Sequence, residues 1–171
     1  MNIDAIAGLA PVIPVLTVEG PEEAIPLARS LVRGGLKALE VTLRTEGALE
    51  ALKAMAREVP EAVVGAGTVL DPHQLDAARA AGARFIVSPG CTEALVVAVK
   101  RAEVPFIPGI QTVSEAMAMA ARGFRLLKFF PASAAGGVDW LKAVAPPLAG
   151  LRFRSEEHTS ELQSHSFISY A

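Results

Sequence analysis

Arg33-Gly34-Gly35-Leu36-Lys37-Ala38-Leu39-Glu40-Val41-Thr42-Leu43-Arg44 packs a helix stop and a strand into twelve residues. The paired glycines supply the left-handed turn with which a helix commonly ends. The run behind them, 38–43, is apolar apart from Glu40 and Thr42. Successive side chains of an extended chain point to opposite faces, so Glu40, Thr42 and Arg44 share one face and Leu39, Val41 and Leu43 the other. Helices would cover the apolar set, which turns the first set inward.

The same device recurs along the chain. Ala81-Gly82-Ala83-Arg84 and Arg122-Gly123-Phe124-Arg125 repeat the stop. Apolar runs occupy 12–18, 38–43, 63–67, 85–87, 106–110 and 126–130, with a stub at 151–153, and their starts lie 20 to 26 residues apart. That pitch holds one strand, one helix and two short loops, and patterns rich in Ala, Leu, Glu and Arg fill the intervals. Asp71-Pro72-His73-Gln74 sets an N-cap, a proline at the first helical position and an N3 glutamine in order. Thr112-Val113-Ser114-Glu115 has the spacing of a second capping box.

Strands alternating with helices predict an α/β fold with parallel pairing. A closed (β/α)8 TIM barrel and an open doubly wound sheet both satisfy the pattern. The open sheet usually carries a Gly-rich dinucleotide loop after its first strand, and Leu16-Thr17-Val18-Glu19-Gly20 is not one. The barrel is therefore preferred, with about six and a half βα units in the chain.

Composition excludes several classes of function. The chain has 171 residues, 51% of them apolar and 5% aromatic. That suits a single domain with a substantial core, neither disordered nor fibrous. A net charge of −2 gives no electrostatic footprint for nucleic acid or an acidic membrane surface. The first sixteen residues hold no Lys or Arg, so no secretory signal is expected, and the uncharged stretch 5–18 is too short to span a bilayer. One cysteine, Cys91, leaves no disulfide framework and fits a cytoplasmic location.

In barrels and open sheets alike the active site lies beyond the carboxyl ends of the strands. Those ends read Glu40-Val41-Thr42-Leu43-Arg44, Gly65-Ala66-Gly67-Thr68, Ser88-Pro89-Gly90-Cys91, Pro108-Gly109-Ile110 and Leu126-Leu127-Lys128-Phe129-Phe130-Pro131. Of five lysines, only Lys128 sits mid-strand between bulky apolar residues. Burial disfavours the ammonium form and leaves a free amine able to attack a keto carbon. The iminium so formed is an electron sink for breaking an adjacent C–C bond. Glu40, on another strand but the same interior, could shuttle the protons. A structural Glu40–Lys128 ion pair is the competing reading, although buried pairs are often no more stabilising than apolar replacements. A barrel isomerase or epimerase with Glu40 as base and Lys128 purely electrostatic is a further alternative.

Five other residues carry smaller expectations. Cys91 reads as a small packed thiol, His73 as a solvated helix start, and Trp140 as the anchor of its helix on the sheet. The glycines of 65–68 read as close backbone approach or tight packing rather than a phosphate loop. No metal-ligand cluster stands out.

Taken together, these segments resemble the family of 2-keto-3-deoxy-6-phosphogluconate (KDPG) and 4-hydroxy-2-oxoglutarate (KHG) aldolases. The resemblance rests on Ile13-Pro14-Val15-Leu16, Glu40-Val41-Thr42-Leu43-Arg44-Thr45, Gly65-Ala66-Gly67-Thr68-Val69, Phe85-Ile86-Val87-Ser88-Pro89-Gly90, Pro108-Gly109-Ile110 and Leu127-Lys128-Phe129-Phe130-Pro131-Ala132. It implies a (β/α)8 barrel, class I aldolase chemistry with no metal or organic cofactor, and a homotrimer. It assigns the Schiff base to Lys128 and acid–base transfer to Glu40. It also gives the pyruvyl carboxylate to Arg44 and Thr68, and the pocket walls to Pro89 and Phe130. The implied reaction splits the phosphogluconate into pyruvate and glyceraldehyde 3-phosphate.

The composition changes near residue 154. Residues 1–153 contain thirty alanines, four serines and one histidine, whereas 154–171 contain one alanine, five serines and two histidines. The sequence therefore predicts a barrel domain over 1–153, truncated at its C-terminal end, and an unrelated, artefactual or disordered tail over 154–171. The family's Thr-Gly-Gly phosphate loop is missing, and barrels typically need at least ~200 residues. Open edges at the first and sixth strands are expected, with poor folding and little activity as the consequence.

Overall fold

Leu39 and Val41 turn outward against helices while Glu40 and Thr42 turn inward, as their alternation requires. All four are buried, so this strand has no solvent face. The computed structural model describes residues 1–157 and 165–170, of which 156–157 and 165–170 are described as backbone alone. Its strands are β1 (Pro14–Leu16), β2 (Ala38–Thr42), β3 (Val63–Gly67), β4 (Ile86–Val87), β5 (Phe106–Ile107), β6 (Gly109–Ile110), β7 (Leu126–Phe129), β8 (Arg152–Glu157) and β9 (His165–Tyr170). Its helices are α1 (Ile3–Ala7), α2 (Pro21–Arg33), α3 (Ala48–Glu58), α4 (Pro72–Ala80), α5 (Glu93–Ala102), α6 (Val113–Ala121) and α7 (Gly137–Val144).

The strands run in the order β5-β4-β3-β2-β1-β9-β8-β7-β6. Only Pro108, which has no N–H to give a ladder, separates β5 from β6. The two ends of that order are thus one stretch of chain, and the sheet closes into a ring. Neighbouring pairs are parallel except at β9, which runs antiparallel to both β8 and β1.

This closure differs from the open edges expected at the first and sixth strands. β8 pairs along the whole of β7 and continues to Glu157, and β9 fills the gap between β8 and β1. An open edge presents a row of unpaired N–H and C=O groups, so an extended segment nearby is drawn to pair with them. An antiparallel partner can return without a helical crossover, which a parallel one requires.

Local signals were realised as their chemistry dictates. Asp71 accepts a hydrogen bond from the Gln74 backbone at 2.8 Å to cap α4. Thr112 and Glu115 form the reciprocal capping box of α6. The backbone N–H groups of Gln111 and Thr112 hold the Glu115 carboxyl below its usual range. Gly35, Gly82 and Gly123 take φ of 91°, 102° and 92°, the left-handed stop used three times over.

The core forms two shells around the ring. Outside it, Leu39, Val41, Val64 and Ile86 meet Ala28, Leu52, Met55, Leu75 and Leu95 of the covering helices. Farther round, Phe129 stacks on Trp140 of α7 with ring centroids 4.1 Å apart, and Phe153 meets the same indole edge-on at 5.9 Å. Inside the ring, Ile13, Ala38, Phe85, Val87, Ile107 and Leu126 form an apolar floor closed by Ile6 of α1. Glu40 follows Ala38 and Lys128 follows Leu126 on the same inward face, so the floor sets the level at which chemistry begins.

Candidate active site

Glu40 on β2 and Lys128 on β7 meet inside the ring, with Oε1 and Nζ 3.9 Å apart and only 1% and 3% of each residue exposed. Both strands are pinned by their neighbours. The Lys128 backbone N–H donates to Pro108 at 2.9 Å, and the Phe130 N–H donates to Ile110 at 3.0 Å. The half-buried Phe130 ring has its centroid 5.1 Å from Nζ and forms one wall around the amine. The Phe130–Pro131 peptide is cis.

Glycines make the room for this arrangement. Residues 65 and 67 face inward from β3, in register with Glu40 and Thr42. A Cβ on Gly67 would stand 2.1 Å from Glu40 Oε1, and one on Gly65 would stand 2.5 Å from the Phe85 ring. Tight packing is thus what these glycines provide. A Cβ on Gly109 would lie 2.2 Å from the backbone C and O of Pro89. Only glycine therefore lets β6 approach Pro89 so closely. Pro89 is half-buried, and behind it the fully buried Ser88 accepts a hydrogen bond from the Gly109 N–H at 3.5 Å.

At the mouth, Arg44 is exposed and donates from Nε to Thr68 Oγ1 at 3.2 Å. Thr68 has φ +59°, a left-handed conformation rare for a β-branched residue. Such strain costs about 1–3 kcal/mol and concentrates at ligand sites. That one bond uses one of the five donors of the guanidinium, whose fork matches a carboxylate. The structure thus brings Glu40 and Lys128 into direct proximity and ties Arg44 to Thr68 at the rim. Pro89 follows β4 and Phe130 follows β7, with the β5–β6 stretch between them.

Arg154 escaped the sequence reading. It stands in register with Lys128 on β8, is 1% exposed and donates from Nη2 to the Ala7 carbonyl at 2.9 Å. Its Nε and Nη1 have no hydrogen-bond partner among the described residues. Burial pulls its guanidinium below the ordinary range, the charge of Arg152 adds to this, and that of Glu40 opposes it. The missed signal was alternation: Phe153 faces the outer shell, so its successor must face in.

The remaining residues behave as their surroundings dictate. His73 is exposed, and Trp140 anchors α7 on Phe129. Cys91 is half-buried, and burial pushes its thiol up to about 11 against the opposing pull of Arg122, with Glu93 adding to the rise. The thiolate is the reactive form. Alkylation by iodoacetamide at pH 8 is therefore expected to be roughly a hundredfold slower than for an ordinary thiol. The rate should climb until about pH 11. Fast labelling at pH 8, followed by mass spectrometry, would contradict this.

A buried amine beside a carboxylate, below a rim with an arginine, suits covalent chemistry on a keto acid. Comparisons with known proteins give the family. The model of the KDPG and KHG aldolases matches residues 3–164. The KHG/KDPG aldolase of Escherichia coli strain K12 is 52% identical over 152 residues, covering 89% of this chain and 71% of the relative. The 2-dehydro-3-deoxy-phosphogluconate aldolase of Dickeya dadantii is 51% identical over the same shares. The crystal structure of KDPG aldolase from Legionella pneumophila, with pyruvate captured as a covalent carbinolamine, superposes with a TM-score of 0.86. It is 44% identical and covers 90% of this chain and 74% of that one. With a family model that matches residues 3–164 and about half of the aligned positions shared with these curated relatives, this chain belongs to the KDPG and KHG aldolase family.

Proposed function

We propose that Lys128 is the Schiff-base nucleophile and Glu40 the acid–base residue of this barrel. The protein is a class I aldolase, cleaving 2-keto-3-deoxy-6-phosphogluconate to pyruvate and glyceraldehyde 3-phosphate. The same chemistry takes 4-hydroxy-2-oxoglutarate to pyruvate and glyoxylate. The amine adds to the C2 carbonyl, and the carbinolamine loses water to give an iminium. Glu40 removes the proton of the C4 hydroxyl, the C3–C4 bond breaks, and its electron pair flows into the iminium to give an enamine. The aldehyde leaves, Glu40 returns its proton to C3, and water releases pyruvate from the lysine. Arg44 and Thr68 hold the carboxylate of the pyruvyl half, while Pro89 and Phe130 bound the pocket.

The observation that carries this reading is the 3.9 Å approach of a buried amine and a buried carboxyl group from different strands. A purely structural pair would be weakly favoured at best, since desolvation offsets most of its attraction.

The catalytic body is residues 1–153, and 154–171 carry none of the substrate contacts assigned above. A homotrimer is our reading of the assembly. Val97 of α5 and Met117 of α6 are each 57% exposed, and the Glu93–Arg122 ion pair joins those two helices. That apolar surface suits self-association. A cytoplasmic location rests on the single free thiol. Among the described residues no helix is long and apolar enough to cross a membrane.

Borohydride reduction with pyruvate tests the mechanism. A permanent three-carbon adduct is expected on the peptide holding Lys128. Its absence would remove the covalent mechanism and leave the isomerase reading, and its appearance on another lysine would overturn the assignment of Lys128.

A further inference from the structure

Arg154 on β8 is the largest of the fully buried side chains, and the mechanism above leaves it unused. It stands in register with Lys128, so adjoining parallel strands carry both residues on the inward face, with backbones about 4.8 Å apart. Its Nη2 is anchored on the Ala7 carbonyl at 2.9 Å, whereas Nε and Nη1 donate to nothing among the described residues. Glu40 lies near enough to favour the charged guanidinium electrostatically. An arginine keeps its proton under all ordinary conditions. A permanent cation therefore stands beside the amine and within electrostatic reach of the carboxyl group.

Counting charges gives this cation a part in the reaction. Attack on a keto carbon needs Lys128 as a neutral amine, and accepting a proton needs Glu40 as a carboxylate. Alone in that state, the two groups would leave one uncompensated buried anion, which is costly. With the guanidinium included, the charges sum to zero. A neighbouring cation also disfavours the ammonium form directly.

We infer that Arg154 is a positioning residue that holds Lys128 and Glu40 in their attack-ready state, a neutral amine beside a carboxylate. It acts through those two groups and is assigned no substrate contact. This rests on the aldolase reading above. The in-register neighbours bring no charge of their own: Val15 and Gly65 flank Glu40, and Gly109 flanks Lys128. Arg152, one layer below Arg154, is exposed and paired with Asp4, and Arg44 is exposed at the rim. His165 of β9 occupies the register position beside Val15.

The rate at which cyanoborohydride traps pyruvate on Lys128 reads the supply of neutral amine. It is followed by mass spectrometry from roughly pH 5 to pH 10, a window in which pyruvate does not titrate. A His165→Gln background removes the residue beside Val15 from that window. Arg154→Gln keeps a donor for the Ala7 carbonyl and drops the charge, whereas Arg154→Lys keeps the charge. The midpoint of the trapping profile should rise by about one pH unit in Arg154→Gln and stay near wild type in Arg154→Lys. Below the midpoint Arg154→Gln should be roughly tenfold slower, and above it the rates should converge. Should Arg154→Gln fail to fold, Arg154→Met drops the charge without burying a polar group and is read in the same way. An unshifted profile, a uniform loss at every pH, or a shift that Arg154→Lys shares overturns the role. A wild-type chain that forms no adduct at Lys128 would fail the aldolase reading itself, and this inference with it. A normal wild-type adduct with no shift in the charge-free variant fails this inference alone.

Discussion

Lys128→Met is expected to abolish turnover, lowering kcat by roughly 10⁴-fold or more, because the proposed nucleophile is removed. Methionine fills nearly the same volume on β7, so the strand and its floor of apolar side chains remain. The charge does not survive. Glu40, 1% exposed, would face a thioether where the Lys128 nitrogen stood 3.9 Å away. Removing one member of a buried pair typically costs about 3–5 kcal/mol, enough to confuse inactivity with unfolding. The double variant Lys128→Met, Glu40→Gln separates the two effects, since it removes both charges together. It should melt closer to wild type and stay inactive, with no borohydride adduct. Pyruvate release within tenfold of wild type in the folded single variant would eliminate Lys128 as the nucleophile.

Gly67→Ala should be nearly as damaging, by another route. The new methyl would lie 2.1 Å from Glu40 Oε1 and 2.7 Å from its Cδ and Cγ, far inside any tolerable contact. The β2–β3 ladder fixes the backbone on both sides, with Glu40 beside Gly65 and Thr42 beside Gly67. Relief must therefore come from the Glu40 side chain, which is driven away from Lys128. Positioned acid–base groups contribute about 10²–10⁴-fold, and kcat/KM should fall within that range. Thermal stability should drop by less, because the clash falls on a side chain that can rotate. The adduct with pyruvate should still map to Lys128 but form slowly. Full activity in Gly67→Ala would show that Glu40 is not the proton carrier.

These expectations draw on different depths of information. The repeat of helix stop and strand was legible in the sequence because its causes are local. Gly35, Gly82 and Gly123 each end a helix within a few residues of their own backbone. The inward face of Glu40, Thr42 and Arg44 was legible for the same reason, since alternation is a property of the extended chain. Lys128 stood out because a charged residue amid Leu126, Leu127, Phe129 and Phe130 has few explanations. The glycines at 65 and 67 were narrowed to close approach or tight packing, and only the positions of Phe85 and Glu40 chose between them. Arg154 was missed because a change in composition was allowed to outweigh the alternation that carries inward facing past Phe153.

By itself, the sequence determined an α/β repeat, its outward and inward faces, and the one lysine set among apolar residues on a strand, all consequences of spacing along one strand or one turn. The tertiary structure alone decided that Glu40 and Lys128 approach within 3.9 Å and that β9 closes the gap beside β1. It alone also brought the Thr17 and Thr42 hydroxyl oxygens to 3.0 Å from each other. Each of these joins segments far apart in the chain. Their geometry follows from which edges pair and which volumes are left, and no local pattern encodes that.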